Sequence, residues 1–478
     1  MKNFKIGILA LAVLFSFVSC FEDLDDNLQP ASTLDIQNFI YKAMNIWYLY
    51  KPDVPDLAND RFATQGELNT FLNTFSTPED LFEGLVAQSI DRFSFMVSDY
   101  RELEAALAGI SVSNGMEFGL VFYPNSQTNV FGYVRYIIPN SDAAAKGLQR
   151  GIIFNTINGA QITVDNFGLL NSLTSYDIGL ATFDGVTITP TGETVTLNKT
   201  ELLENPIHLA STLNINGQKI GYLMYNGFTS DFDTQLNNAF GQFKADAVSD
   251  LIIDLRYNGG GSVRTAIGMS SMITGQFTGQ VFSTEVWNPE IQAIFEAEDP
   301  EQLINRFTNT ISTGAAINSL NLNRVYILTS RRTASASELV INGLNPYIEV
   351  IQVGSTTTGK FQASTTFYDG PAPNFRRQDA NPSHFYAIQP LIFTTANAIG
   401  TTGFVDGLPP TIELFEDYAN LGVLGDVNEP LLDAALGAIF GRAPRNQHSV
   451  ERKEVGNSKM KFPNYERMYV DFKEHKGL

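Results

Sequence analysis

Two apolar runs and the short segments that follow them constrain this chain most. Val325-Tyr326-Ile327-Leu328 leads into Thr333-Ala334-Ser335-Ala336-Ser337-Glu338 and then into a second apolar stretch, Leu339-Val340-Ile341. That order predicts a strand, a tight corner and a helix start, with Ser335 at the corner. A further strand-like run, Ile348 to Val353, ends in Gly354-Ser355-Thr356-Thr357-Thr358-Gly359-Lys360. Upstream lie Ile220-Gly221-Tyr222-Leu223 and Leu251-Ile252-Ile253-Asp254-Leu255, and a last helix is expected over about Glu429 to Ile439. Apolar strands alternating with helical stretches from His208 to Gly441 are the pattern of an α/β core.

A serine hydroxyl is a weak nucleophile at its free pKa and needs a base to take its proton as it attacks. The four histidines, His208, His384, His448 and His475, lie in no recognisable triad motif, which favours a lysine as the base. Lys360 serves only if its ammonium loses its proton near neutral pH. Burial among apolar and hydroxyl groups achieves this by penalising the charged form, and Thr356, Thr357 and Thr358 supply hydroxyls without charge. Backbone N–H donors must meet the charge that develops on the attacked carbonyl oxygen. Ala336, next after the serine and at a helix N-terminus, offers one. Two other readings compete. Ser335-Ala336-Ser337-Glu338 also fits a helix capping box. Gly354 to Lys360 matches the first seven positions of a phosphate-binding loop, but the eighth, which should be Ser or Thr to hold Mg²⁺, is Phe361.

These residues resemble the carboxyl-terminal processing (tail-specific) serine proteases, peptidase family S41. In that family a Ser-Lys dyad is carried by a TASASE-type segment and a later Gly-Lys, spaced by the same 25 positions that separate Ser335 from Lys360. The resemblance runs from about Asp35 to Gly441. It implies Ser335 as nucleophile, Lys360 as base and Gln362 as third partner. Many members carry that glutamine four residues after the lysine, where this chain has Ser364; position 362 still faces the same side of a strand. Asp254-Leu255-Arg256-Tyr257-Asn258-Gly259-Gly260-Gly261 matches the family's D-L-R-x-N-x-G-G segment and implies Gly260 as a second oxyanion donor beside Ala336. Arg256, Glu338 and Thr357 would be supports. Pro346 stands where some members have an aspartate.

At 478 residues the chain exceeds one ordinary domain. The implied architecture is multidomain α+β: a helical N-terminal region, a β-rich PDZ-like domain and an α/β protease core of the crotonase-like type. Residues 33–107 show helical spacing at Ile36, Phe39, Ile40, Ala43, Ile46 and Trp47. The aromatic cluster Phe39, Tyr41, Trp47, Tyr48 and Tyr50 reads as helix packing or, alternatively, as a ligand platform. Residues 110–197 break into short alternating runs. Their order, through Ala143-Ala144-Ala145-Lys146-Gly147-Leu148 and Ile157-Asn158-Gly159, resembles a PDZ domain, although Gly151-Ile152-Ile153-Phe154 departs from the usual G-D-x-I. Such a module captures an extended peptide as an added strand, here along Phe118, Gly119, Leu120 and Val121, or acts only as a packing or gating element. The core spans 208–441, and the polar tail 442–478 is expected to be poorly ordered.

Residues 1–19 read as a signal peptide, with Lys2 and Lys5 before an apolar stretch from Ile6 to Val18 that is too short for a stable membrane span. Cys20 is the only cysteine. It follows Phe17-Val18-Ser19, which resembles a bacterial lipobox, and is expected to carry the lipid of a mature lipoprotein. Residues 20–32 form an acidic tether whose Glu22-Asp23-Leu24-Asp25-Asp26 resembles a surface-export signal or is simply solvated. The expected location is the bacterial cell envelope, as an outer-membrane lipoprotein on the periplasmic or the exposed face. With no other cysteine, no disulfide and no thiol catalysis is expected. A net charge of −20 argues against nucleic acid. Without H-E-x-x-H or a Cys/His cluster, no metal or cofactor is implied. The expected function is a secreted, membrane-anchored serine endopeptidase acting on unfolded or C-terminal protein segments through an acyl-enzyme. The alternative is a catalytically weak S41-like surface lipoprotein that binds peptides or another ligand.

Overall fold

The computed structural model describes residues 29–443 and 450–471. The signal segment, Cys20 and the acidic tether as far as Leu28 lie outside the described residues.

The strand-like runs of the core are largely apolar because both faces of their sheet are covered; Glu349, exposed, and Gln352, buried, are the polar exceptions in residues 348–353. This six-stranded sheet takes the order Ile207–Ile215, Gln218–Tyr225, Asp250–Asp254, Arg324–Thr329, Glu349–Gly354, Ile412–Glu413. The first pair is antiparallel and every later pair is parallel. Alternate residues face opposite ways, as the period of two requires. Leu223, Leu251, Ile253, Val325 and Ile327 enter one hydrophobic cluster with the helices Asp233–Asp246, Val263–Thr274 and Ala336–Leu344. Tyr222, Met224, Ile252, Tyr326 and Leu328 enter another with the helix Pro430–Phe440. A second six-stranded sheet, here termed the cleft sheet, takes the order Gly261–Ser262, Met468–Tyr469, Gln362–Ser364, Leu391–Asn397, Val281–Trp287, Ile304–Arg306.

The N-terminal region begins with the helix Thr33–Trp47. Ser32 and Asp35 close its N-terminus reciprocally, the Ser32 hydroxyl accepting from Asp35 N–H and the Asp35 carboxylate from Ser32 N–H. Ile36, Phe39, Ile40, Met44 and Trp47 do not form a separate core. They join the same cluster as Phe282, Trp287, Ile341 and Phe393 of the α/β region. Trp47 is fully buried, packs against Trp287 and Phe367 with ring centroids 5.8 Å away in each case, and donates its indole N–H to the Pro373 carbonyl. The aromatic crowding is thus core packing for Phe39, Tyr41, Trp47 and Tyr48.

Residues 116–198 form an antiparallel sheet in the order Met116–Phe122, Val130–Ile137, Ile153–Ile157, Ser175–Phe183, Ile188–Asn198, with a core of its own that includes Phe118, Leu120, Val134, Phe154 and Ile178. Its free edge, Met116–Phe122, is extended by Glu454–Asn457 from the far end of the chain. The expectation of a poorly ordered tail is therefore corrected over 450–471. That segment is polar, but two sheets leave edges with unpaired N–H and C=O groups, and it satisfies both. Its Met468 is fully buried in the main core.

Because the N-terminal helix and the α/β region share one core, Trp47→Ala is expected to destabilise both together by about 3–5 kcal/mol. Urea unfolding followed by far-UV dichroism and by the fluorescence of the remaining Trp287 should give one coincident transition at lower urea. Separate transitions would show that the N-terminal region unfolds on its own.

Candidate active site

Ser335 sits between the strand Arg324–Thr329 and the helix Ala336–Leu344, with φ 67° and ψ −117°. A β-carbon makes that conformation costly, by about 1–3 kcal/mol, so the surroundings must impose it. They do so from both sides. Ala334 N–H and the Ser337 hydroxyl both donate to the Asn258 carbonyl, and the Thr333 hydroxyl donates to that of Leu255. On the other side, Ser335 N–H donates to Glu338 Oε2 at 2.7 Å. The capping box is only half made. The Glu338 carboxylate closes on the serine backbone, while the buried Ser335 Oγ has no hydrogen-bond partner among the described residues.

Glu338 is itself fully buried and joins the two halves of the site. Its Oε1 accepts from the Thr357 hydroxyl and from Gly359 N–H at 2.7 Å; its Oε2 accepts from Lys360 N–H at 2.9 Å as well as from Ser335. Burial pushes the carboxyl above its usual range, and the four donated hydrogen bonds act against that shift. Gly359 has φ 91°, and any side chain there would run into the Val405 carbonyl. Lys360 follows, its side chain fully buried. Burial first, then the nearby Arg467 guanidinium, holds its ammonium well below the ordinary 10.5, while Asp91, Glu466 and Glu338 pull the other way. Its Nζ lies 5.0 Å from the Phe93 ring centroid and donates to the Glu466 carbonyl at 3.0 Å.

Gly260 approaches the serine so closely that a β-carbon on it would stand 2.6 Å from Ser335 Cβ and 3.0 Å from Oγ. Its φ of 109° also excludes a side chain. In this state its N–H is donated to Asn258 Oδ1 at 2.9 Å. Ala336, expected as the other oxyanion donor, is the first residue of its helix, where N–H groups have no partner within the helix. Gln362 lies in the cleft sheet and gives its amide to the Tyr50 hydroxyl at 2.9 Å, not to Ser335 or Lys360; its Oε1 has no partner among the described residues. Arg256 is a support at a distance from the serine hydroxyl: fully buried, it pairs with Asp254, Glu416 and Glu429. The residue after Lys360 leads into a strand, Gln362–Ser364, and not into the helix a phosphate-binding loop requires, so that reading is set aside.

The sequence reading missed the contribution of Asp91-Arg92-Phe93. Asp91 accepts from the Tyr48 hydroxyl and from Phe93 and Ser94 N–H, Arg92 donates to the Gly359 carbonyl at 3.1 Å, and Phe93 covers Lys360. Nothing in their local sequence marks them, because their role comes from a fold that carries them across more than 260 positions to Gly359. Asn258 was read only as part of the glycine loop, yet it ties that loop to the serine corner.

The sequence profile of peptidase family S41 matches residues 219–371, which contain Gly260, Ser335, Glu338 and Lys360, and the profile of the S41 N-terminal domain matches residues 35–95, which contain Asp91 and Phe93. Over these two segments the chain is similar to the S41 peptidases. It is 24% identical over 265 residues to a carboxyl-terminal-processing protease of a Picosynechococcus strain, a match that covers 55% of this chain and 57% of that protein. The chain also shares the mixed α/β fold of the crystal structure of a candidate S41 protease from Bacteroides fragilis. There the TM-score is 0.66 and the identity 27%, over 84% of this chain and 97% of that one.

Removing the shared carboxylate should loosen the whole site. Glu338→Ala leaves the Ser335, Gly359 and Lys360 N–H groups without their acceptor, and is expected to cost about 3 kcal/mol or more, read from the urea midpoint. Glu338→Gln keeps the shape and two acceptor lone pairs and should fall between. A Glu338→Ala protein as stable as the parent would mean that these bonds do not hold the corner.

Proposed function

We propose that this chain is a serine endopeptidase in which Ser335 is acylated and Lys360 moves the proton. The observation that carries the reading is the Glu338 carboxylate, which binds the backbones of both Ser335 and Lys360 and so joins the corner of a strained serine to the loop of a desolvated lysine. In the forward step the Ser335 Oγ–H proton passes to the neutral Lys360 amine as Oγ bonds to the substrate carbonyl carbon. Ala336 N–H, and Gly260 N–H once released from Asn258, would meet the oxyanion. The C–N bond then breaks, with the Lys360 ammonium giving its proton to the leaving amine. Water attacks the ester by the same route and regenerates the serine.

The homology supports a protein or peptide substrate. The PDZ reading of residues 110–197, with Phe118 to Val121 as the strand-pairing segment, is part of the same proposal. So is anchoring through an acylated Cys20 at the outer membrane.

Ser335→Ala and Lys360→Ala should each remove essentially all hydrolysis of an unfolded protein and all labelling by a fluorophosphonate, since the two act as a unit. Lys360→Arg should be equally inactive, because a guanidinium stays charged near neutral pH. In the parent, labelling should rise with pH through a midpoint well below 10.5, as the amine loses its proton, and then level off. A midpoint near 10.5, or an active arginine variant, would remove Lys360 from the role of base.

Cys20→Ser should move the protein from the membrane pellet to the soluble fraction. A variant that still pellets after a high-salt wash would contradict the lipid anchor.

A further inference from the structure

The segment 450–471 does not lie on the surface as an appendage; it runs along both peptide-pairing edges of the molecule. Glu454–Asn457 pairs antiparallel with Met116–Phe122, Glu454 opposite Val121, Gly456 opposite Leu120 and Asn457 opposite Gly119. The same strand was read from sequence as the edge that captures a peptide. Ser458 completes the contact, its N–H donating to the Phe118 carbonyl and its hydroxyl accepting from Phe118 N–H. Twelve positions on from Asn457, the chain ends up between two strands of the cleft. Met468–Tyr469 pairs parallel with Gly261–Ser262, and Tyr469 with Ser364, while Val470 N–H donates to the Ser364 carbonyl at 3.0 Å.

Between these two anchors the tail lies against Lys360, the Gly260 turn and Phe93. The Glu466 carbonyl accepts from Lys360 Nζ. The Arg467 carbonyl and Ser335 Oγ converge on one point: a β-carbon on Gly260 would stand 2.5 Å from the former and 3.0 Å from the latter. The Arg467 guanidinium donates to the Phe93 carbonyl. Ion pairs clamp the run, Glu454 to Arg135 and Arg332, Glu466 to Arg332 at 3.0 Å and Lys459 to Glu204 at 2.7 Å. With the tail in place Ser335 and Lys360 are both fully buried.

We infer that residues 450–471 are an intramolecular peptide occupying the substrate path, and that they hold the site closed until displaced. The inference rests on the Ser335–Lys360 reading above. A strand added to a sheet edge is how such a site would take any peptide, and the tail's two anchors are such strands, joined by a run that turns past the serine with Glu466 at φ 51°. The tail therefore also marks the route: substrate is an extended segment that pairs with Met116–Phe122 or with Gly261–Ser262 and Ser364, in competition with the tail. Direction distinguishes plug from tail substrate. A peptide whose terminal carboxylate is captured at the 116–122 edge presents only upstream residues to the serine, whereas here the residues at the serine lie downstream of those at the edge. The catalytic groups are also disengaged, with Lys360 bonded to the tail and Ser335 Oγ to nothing among the described residues. A tethered plug has an effective concentration of about millimolar, so a free peptide of the same sequence must be supplied at far more than its contact energy alone would suggest.

The test compares the full chain with one ending at Arg442, and with full-length Glu454→Lys, which reverses the clamp to Arg135 and Arg332 and touches neither Ser335 nor Lys360. Both variants are expected to hydrolyse an unfolded protein with kcat/KM raised about tenfold or more, and the parent is expected to keep its C-terminus intact by mass spectrometry. A fluorescent synthetic peptide of residues 450–471 should bind saturably to the truncated Ser335→Ala chain and not to full-length Ser335→Ala. If the truncated chain does not fold, Glu454→Lys decides, by its turnover and by faster hydrogen exchange over 454–470. Unchanged turnover in Glu454→Lys despite that faster exchange overturns the proposal, as does a natively folded truncated chain that fails to bind the peptide. A parent chain cut after Arg467 that stays whole as Ser335→Ala also overturns it, because the tail is then a substrate. Specific peptide binding with no hydrolysis by any chain upholds the occupancy and removes the peptidase reading instead.

Discussion

One buried carboxylate holds the site together. Glu338 takes hydrogen bonds from Ser335 N–H on its own helix and from Thr357, Gly359 and Lys360 on a loop about twenty positions further on. Putting a carboxylate in an apolar core is expensive unless each lone pair is met, and here four donors meet it. Those bonds oblige Ser335 to keep a backbone conformation that its side chain disfavours, and they fix where Lys360 leaves the backbone. Without them the strand–corner–helix turn and the glycine–lysine loop would be two unrelated pieces of punctuation.

The chemistry of the lysine is set less by its neighbours in sequence than by what covers it. Phe93 comes from the N-terminal region, Glu466 and Arg467 from the tail, and between them they exclude water from the amine. Desolvation is the leading cause of its lowered affinity for a proton. The N-terminal region therefore has a part in the site, since Tyr48, which shares a core with the α/β region, holds Asp91 through its hydroxyl, and Asp91 in turn accepts from Phe93 N–H. A buried Arg256 network with Asp254, Glu416 and Glu429 does similar work behind the glycine loop. It keeps rigid the turn on which Asn258 and Gly260 sit.

Much of this was legible in the sequence because it is written locally. The serine corner needs a strand, small residues and a helix start in direct succession, and the lysine loop needs glycines where a β-carbon would collide; both requirements leave residues side by side. The alternating apolar runs likewise announced a sheet covered on two faces. Gln362 shows the limit of that logic. Its strand position was readable, but its amide reaches Tyr50, from a segment more than 300 positions away that no local pattern links to it.

The sequence by itself determined the α/β core, the serine corner, the lysine loop and the glycine turn, because each depends on backbone geometry within a few residues. Tertiary structure decided what surrounds them. Whether Ser335 Oγ has a partner, which carbonyl Lys360 meets and where Gly260 sends its N–H all depend on segments brought from both ends of the chain. The tail is the clearest case. Its composition is that of a solvated segment, and its order arises only because two sheets, built from distant parts of the chain, each leave an edge whose unpaired backbone groups it can satisfy.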